Sequence, residues 1–519
     1  MGYYTQDRAE VDPGRLLSEI MKCSPEGLLI LVQQRGPSFE AMHVGVAWGK
    51  LAEGEWRGDE REVLKLLQDL TRAKMQDWEA TPIANAVQSI ATLCASGRMV
   101  VDNELGGELQ ARATATAGEF KPRDISMLIH GLAAMGVGPD AGLVEAMQQR
   151  AAATAGHFEP LEIAMLMSAL DTMGIKPDAD LVEVMQRQAT ATAGDFTPQV
   201  LAMLMMTLRE MDIRPDAGLL EAMQGRARET AGDFKLEDVT NLLLALGQLG
   251  CKPDQALMNA MQQRAGELAE KIGPDAILIL MISLEKMGIT PKTALVEAMQ
   301  RRAMATAGDF EPHQISWLMS ALASMSVQPD DGLVAAMLGR ARDTAGDFEP
   351  ADVTALFLAL EKVGSKPDEA LLEVMLRRAG ETAGAFDHNE VFMLLMTLEK
   401  MEITPDIGLV VAMLGRATAT AGDFEPGQIG WLLYTLEKMG VAPDEEFLEA
   451  MQVQATATVN DFSPDEVTML KSTLEKMGVE PDPRLVAAMR GRKKISGVGD
   501  KGKEEEATGV PRSEETPPP

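Results

Sequence analysis

The sequence repeats itself every 38 residues. A Pro-Asp dipeptide or a near variant begins at Pro139, Pro177, Pro215, Pro253, Pro291, Pro329, Pro367, Pro405, Pro443 and Pro481. A large apolar residue keeps the same step at Phe120, Phe158, Phe196, Phe234, Ile272, Phe310, Phe348, Phe386, Phe424 and Phe462. No insertion interrupts these units. A period of roughly 20–50 residues marks a solenoid or array, in which each unit packs only on its neighbours. That overrides the prior set by 519 residues, which alone would suggest about three or four compact domains.

One unit, residues 158–195, reads as two short helices. Pro160 suits a first helical position, where its missing N–H costs nothing. Glu162 stands where a capping carboxylate is useful. Ile163, Leu166, Met167, Leu170 and Met173 recur at helical spacing and mark the buried face of a helix A. Gly174 ends that helix in the left-handed conformation. Pro177 and Asp178 start a helix B, whose inner stripe is Leu181, Val182, Met185 and Ala189. Gly194 breaks helix B, and Asp195 leads into the next phenylalanine.

The pattern extends upstream in weaker form. Phe39 heads a helix-A-like stretch at 39–52, Asp77-Trp78 echoes the Asp-Phe step, and 100–120 reads as a helix B with its loop. The predicted fold is all-α: a right-handed α-solenoid of about twelve 38-residue helix-turn-helix repeats. Residues 1–81 are expected to form capping helices with degenerate repeats, 82–492 the array, and 493–519 a disordered polar tail.

Charge and composition exclude several classes. The net charge is −31, which opposes phosphate binding by the molecule as a whole and favours basic partners. A solenoid can still carry a basic stripe on an acidic body. No run of about 18 apolar residues suggests a membrane span. The N-terminal stretch has no apolar signal core and is too acidic for a typical transit peptide. Cys23, Cys94 and Cys251 are scattered, without metal spacing, and suggest a reducing compartment. The five histidines occupy different repeat positions, and no phosphate loop or nucleophile motif occurs. The sequence reads as a non-enzyme that needs no cofactor and no metal.

Stacking turns each column of the repeat into a stripe. Met147, Met185, Met223 and their equivalents read as core between repeats. Three residues on, Arg112, Arg150, Arg226, Arg264, Arg302, Arg340, Arg378, Arg416 and Arg492 recur, with Gln188 and Gln454 in the two remaining places. This column is either a ladder for RNA phosphates or a repeated salt bridge to loop aspartates such as Asp195, or to helix-B carboxylates. A second column varies in chemistry just after the helix-A proline: Arg123, Leu161, Gln199, Glu237, Asp275, His313, Ala351, Asn389, Gly427, Asp465. Variation at one fixed place is what a modular base reader needs, although a free solvent position varies too. Four residues further, on the same face, Trp317 and Trp431 are candidates for base stacking, with Tyr434 beyond them.

The register F-x-P-x-x-I-x-x-L-x-x-A-L-x-x-M-G-x-x-P-D-x-x-L-x-x-A-M-x-x-R-A, clear in residues 310–347, resembles the octotricopeptide repeat family of algal and dinoflagellate arrays over about residues 40–492. That family is related in logic to pentatricopeptide and RAP-domain proteins. The resemblance implies a single-stranded RNA-binding protein of the mitochondrion or chloroplast, reading about one nucleotide per repeat and acting in RNA processing, stability or translation. It implies phosphate contacts from the Arg column and base contacts from Arg123, Gln199, Glu237, His313, Asn389, Trp317, Trp431 and Tyr434. Family repeats usually carry Trp in helix A, where this chain has His130, Ser168, Met206 and others. The alternative is an acidic scaffold for protein partners, as in tetratricopeptide arrays. It would take basic proteins or other ribonucleoprotein components, and the cytoplasm is then the alternative location.

Overall fold

The computed structural model describes residues 13–54, 61–101 and 103–489. The tail at 493–519 and Arg492 lie outside the described residues. Every regular element described is an α-helix or a single 3-10 turn. The described residues belong to two compact units, one within Met1–Ile272 and Lys286–Val296, the other within Gly273–Glu285 and Glu297–Pro519. Each is a stack of helix pairs.

The pair read from the sequence forms as expected. Helix A spans Pro160–Thr172 and helix B Ala179–Ala191, followed by the 3-10 turn Ala193–Asp195. Pro160 is the first helical residue, and the Glu159 N–H donates to Glu162 Oε2 at 2.9 Å. At the other end Gly174 takes φ +66°, and the Ile175 N–H donates to the Leu170 carbonyl at 2.8 Å. That is the Schellman closure, which satisfies carbonyls the helix leaves open. The Pro-Asp aspartate is the N-cap of helix B. Asp216 accepts from the Leu219 N–H at 2.8 Å and Asp368 from Leu371 at 2.8 Å, each satisfying an orphan donor of the first turn.

Helices A stack on helices A and helices B on helices B, and the A layer is the tighter of the two in each unit. Small side chains allow this. Gly131, Ala169, Thr207 and Ala245 in the first unit, and Ala321, Ala359, Thr397, Thr435 and Thr473 in the second, are all buried at one helix-A position. At Gly131 a Cβ would lie 2.8 Å from Val87 Cγ1 and 3.2 Å from the Val87 backbone, so only glycine fits there. Cross-helix hydrogen bonds add to the packing: Ser126 Oγ donates to the Glu162 carbonyl at 2.8 Å, and Ser316 Oγ to that of Asp352 at 2.9 Å. The methionine column is buried from Met147 to Met489, as expected for core between repeats.

Twelve helices A follow a residue in the phenylalanine place, from Ala41–Glu53 to Pro464–Lys476. Phe39 and Trp78 are fully buried in that place. A further pair stands ahead of them, Pro13–Lys22 and Pro25–Arg35, and Pro13–Lys22 packs on Ala41–Glu53. It lacks the 38-residue phrases, so the period did not reveal it. His43 ties it in: buried, it accepts the Glu40 N–H through Nδ1 and donates through Nε2 to the Pro13 carbonyl at 2.9 Å.

Three repeats replace the left-handed glycine with Asp212 (φ +54°), Ser326 (φ +56°) and Glu402 (φ +59°). A side chain there costs roughly 1–2 kcal/mol, part of which glycine gives back as chain entropy in the unfolded state. Ser326→Gly is therefore expected to stabilise the protein by about 0.5–1 kcal/mol, read as a shift in the urea unfolding midpoint. A loss of stability would contradict the strain account.

Candidate nucleic-acid interface

The arginine column closes each helix pair. Arg150 Nε donates to the Phe120 carbonyl at 2.8 Å, Arg226 to Phe196 at 2.8 Å and Arg264 to Phe234 at 2.8 Å. Arg340, Arg378 and Arg416 do the same to Phe310, Phe348 and Phe386, and Arg112 to Trp78 at 2.7 Å. Where the column reads Gln, the bond survives: Gln188 Nε2 reaches the Phe158 carbonyl at 2.9 Å and Gln454 Nε2 that of Phe424 at 3.0 Å. Arg302 is also engaged. Of the two roles the sequence left open, the structure shows a structural one, but the Nε partner is a backbone carbonyl rather than a loop aspartate. The reason is local. Each phenylalanine is the extended residue after a 3-10 turn, so its carbonyl has left the helical pattern and requires a donor.

A phosphate can reach only what remains, the terminal amines. In the first unit two of these also contact helix-B carboxylates: Arg226 Nη1 lies 3.5 Å from Glu229 and Arg264 Nη1 3.1 Å from Glu267. Both arginine side chains are 24% exposed.

A second column had not been singled out. Gln148 Oε1 accepts the backbone N–H of Asp178 at 2.8 Å, Gln186 that of Asp216 at 2.7 Å, and Gln224 that of Asp254 at 2.7 Å. Gln300 and Gln452 repeat the bond in the second unit, to Asp330 and Asp482. Helix B thus ties its own helix A through Arg or Gln and the next helix B through Gln. The recurring Met-Gln dipeptide was the available signal. Leu338, Leu376 and Leu414 interrupt the column.

The variable column faces outward. Arg123, Gln199 and Glu237 in the first unit and Asn389 in the second are exposed. His313 is half-buried and meets Trp317 edge-on at 5.3 Å. Trp317 and Trp431 are 49% and 48% exposed, the conspicuous aromatics on an otherwise aliphatic ridge. Tyr434 is half-buried, edge-on to Trp431 at 5.6 Å, with Lys438 Nζ 5.5 Å from its ring centre. The second unit therefore brings together two of the expected groups, His313 with Trp317 and Trp431 with Tyr434. One methionine of this ridge serves packing: the Met469 methyl closes onto Gly430 of the preceding helix A.

The N-terminal edge of the ridge is acidic. Glu162, Asp352 and Glu390 cap helices A, and burial pushes their carboxyl pKa values above the usual range against the opposing pull of the backbone N–H each accepts. No described helix is long and apolar enough to cross a membrane, and the described residues hold no cluster of three or more metal-ligating side chains.

The fold defines a helical-repeat protein, and its family is an RNA-associated one. Residues 83–404 and 275–492 match the family of RNA-editing substrate-binding complex 6 proteins (RESC6), and the chain belongs to that family. No curated protein matches it in sequence. Among solved structures, a protective antigen of uropathogenic Escherichia coli with an SLR fold is similar at 13% identity and a TM-score of 0.33, covering 97% of this chain and 100% of that one. The pentatricopeptide repeat protein PPR10 from maize is similar at 12% identity and a TM-score of 0.21, covering 95% and 93%. A homology model of the full-length AP-3 complex is similar at 9% identity and a TM-score of 0.32, covering 96% and 94%.

The clamp makes a sharp prediction. Arg340→Gln keeps a donor for the Phe310 carbonyl, as Gln188 and Gln454 do, and should change stability by less than about 0.5 kcal/mol. Arg340→Leu strands that carbonyl and should cost about 1–3 kcal/mol. Equal effects of the two changes in urea unfolding would contradict the clamp.

Proposed function

We propose that this chain is a non-catalytic, sequence-selective reader of single-stranded RNA that works within an RNA-editing ribonucleoprotein assembly of the mitochondrion. The observation that carries this reading is the outward helix-A column, whose chemistry changes from repeat to repeat on a framework that hardly changes. An outward position of changing chemistry, repeated at a fixed interval, is where helical-repeat readers place base contacts, although Asp275 and Asn389 in this column also accept a side-chain amide from the next helix A. Family membership supports RNA as the ligand and an editing complex as the setting. The 38-residue register, similar to octotricopeptide arrays, supports about one base per repeat.

In this reading Arg123, Gln199, Glu237, His313 and Asn389 meet base edges, and Trp317, Trp431 and Tyr434 stack on bases. The terminal amines of the arginine clamp add phosphate contacts. A second reading, a scaffold that takes basic proteins of the same assembly, is favoured by the net charge of −31.

Selection of the purified full chain against a random single-stranded RNA pool tests the proposal. Enrichment of a motif of roughly ten nucleotides is expected, with affinity falling as salt rises. His313→Ala with Asn389→Ala should alter the enriched motif without loss of folding. R264Q/R340Q/R378Q keeps the clamp bond and removes the terminal amines, and should weaken binding without changing the motif. A pool that returns no motif, together with capture of basic proteins, would replace the RNA reading with the scaffold.

A further inference from the structure

Four consecutive helices A of the second unit, from Pro350–Val363 to Pro464–Lys476, end on or next to one phrase. Leu-Glu-Lys occurs at 360–362, 398–400, 436–438 and 474–476, and once more at 284–286, separated from that run by the helix A Pro312–Ser324, which ends on Leu-Ala-Ser. Lys362, Lys400, Lys438 and Lys476 are all exposed. Each follows the variable column by 11 residues, about three helical turns, so it lies on the same ridge at the opposite end of the helix. In the preceding helices A that place holds Ala134, Thr172, Glu210, Gln248, Lys286 and Ser324 in turn, so lysine is continuous only over the last four.

A lysine in the last turn suits the helix dipole, by a few tenths of a kcal/mol. The dipole does not explain the column, because the helices A ending at Ala134, Thr172, Gln248 and Ser324 carry no basic residue in the last turn. Nor do ion pairs, since among the described residues none of the four lysines joins a carboxylate. The glutamate before each lysine is turned about 100° round the helix, away from the ridge. Lys438 instead lies over the ring of Tyr434. The row thus runs from one helix A to the next at the spacing of packed helices, about 8–10 Å. It is a local run of unpaired positive charge in a strongly acidic chain, and Trp317, Trp431 and Tyr434 share its ridge.

We propose that this lysine row holds the phosphates of single-stranded RNA, so that the strand is gripped by the second unit along the C-terminal ends of its helices A. The proposal rests on the RNA reading above and adds the place, the polarity and the residues of the grip. Charge complementarity selects a polyanion. The exposed aromatics beside the row select one with bases rather than an acidic protein, because bases stack on such rings.

The test measures binding of the full chain to a fluorescent oligouridylate of about 15 nucleotides across a salt series, with circular dichroism to confirm that each variant is folded. Four lysine contacts to a single strand contribute about 3 to the slope of log affinity against log salt. K362Q/K400Q/K438Q/K476Q should lose that part of the slope. Trp431→Ala should lower affinity and leave the slope unchanged. R187Q/R301Q/R377Q, on the exposed face of helices B, should keep the wild-type slope. If the four-lysine variant binds with the wild-type slope, or the helix-B control loses as much per charge, the grip is elsewhere and only this inference falls. If the wild-type chain binds no RNA at low salt, the inference and the RNA reading fall together.

Discussion

The extended residue at the head of each repeat is the constraint on which the stack depends. The chain must leave helix B, turn, and re-enter as helix A within a few residues. It does so with one 3-10 turn and a fully buried phenylalanine, whose ring fills the space between layers. Burying that ring exposes a problem in the backbone, because its carbonyl falls outside both helices. A donor from the end of the same pair's helix B solves it, through Arg in most repeats and Gln in two. The ring and the carbonyl bond act together: one supplies apolar burial, the other fixes the angle at which helix B lies against helix A. Any residue at the donor position must reach a carbonyl, a requirement that both Arg and Gln meet.

Function follows from what the framework leaves unconstrained. Helix A spends one face on the core and small-residue contacts on its neighbours, and its outer ridge carries only scattered contacts between repeats, such as Gln428 to Asn389 and Met469 onto Gly430. The ridge therefore differs along the chain. In the first unit it is rich in methionine and carries scattered polar groups. In the second it carries the tryptophans, a tyrosine and the terminal lysines. Capping carboxylates occupy the N-terminal ends of several helices A, among them Glu162, Asp352 and Glu390.

Most of this fold was legible because a period is hard to counterfeit. Proline at the first turn, glycine at the left-handed cap and the phenylalanine place each name a backbone geometry, and the structure has those geometries. The leading pair at Pro13–Lys22 and Pro25–Arg35 lies within the stretch expected to form capping helices, but its two helices were not legible one by one, because end repeats have one fewer neighbour to satisfy and drift from the consensus. The arginine column was legible as a column but not as a bond. A side chain that recurs can be aimed at a ligand or at the backbone, and only the position of the Phe carbonyl decides which. The glutamines were overlooked for a related reason: their partner is an N–H, which leaves no trace in the sequence. The Leu-Glu-Lys phrase was visible throughout, but it gained meaning only when helical turns placed it on the same ridge as the variable column.

The most direct test of the whole account is photo-crosslinking of 4-thiouridine-substituted single-stranded RNA to the intact protein, with the adducts mapped by mass spectrometry. The account predicts adducts on helices A, at Trp317, Trp431, Tyr434 and their ridge neighbours, recurring at the 38-residue interval. Adducts confined to the outer faces of helices B would contradict it, because the framework and not the variable ridge would then be the surface that meets RNA.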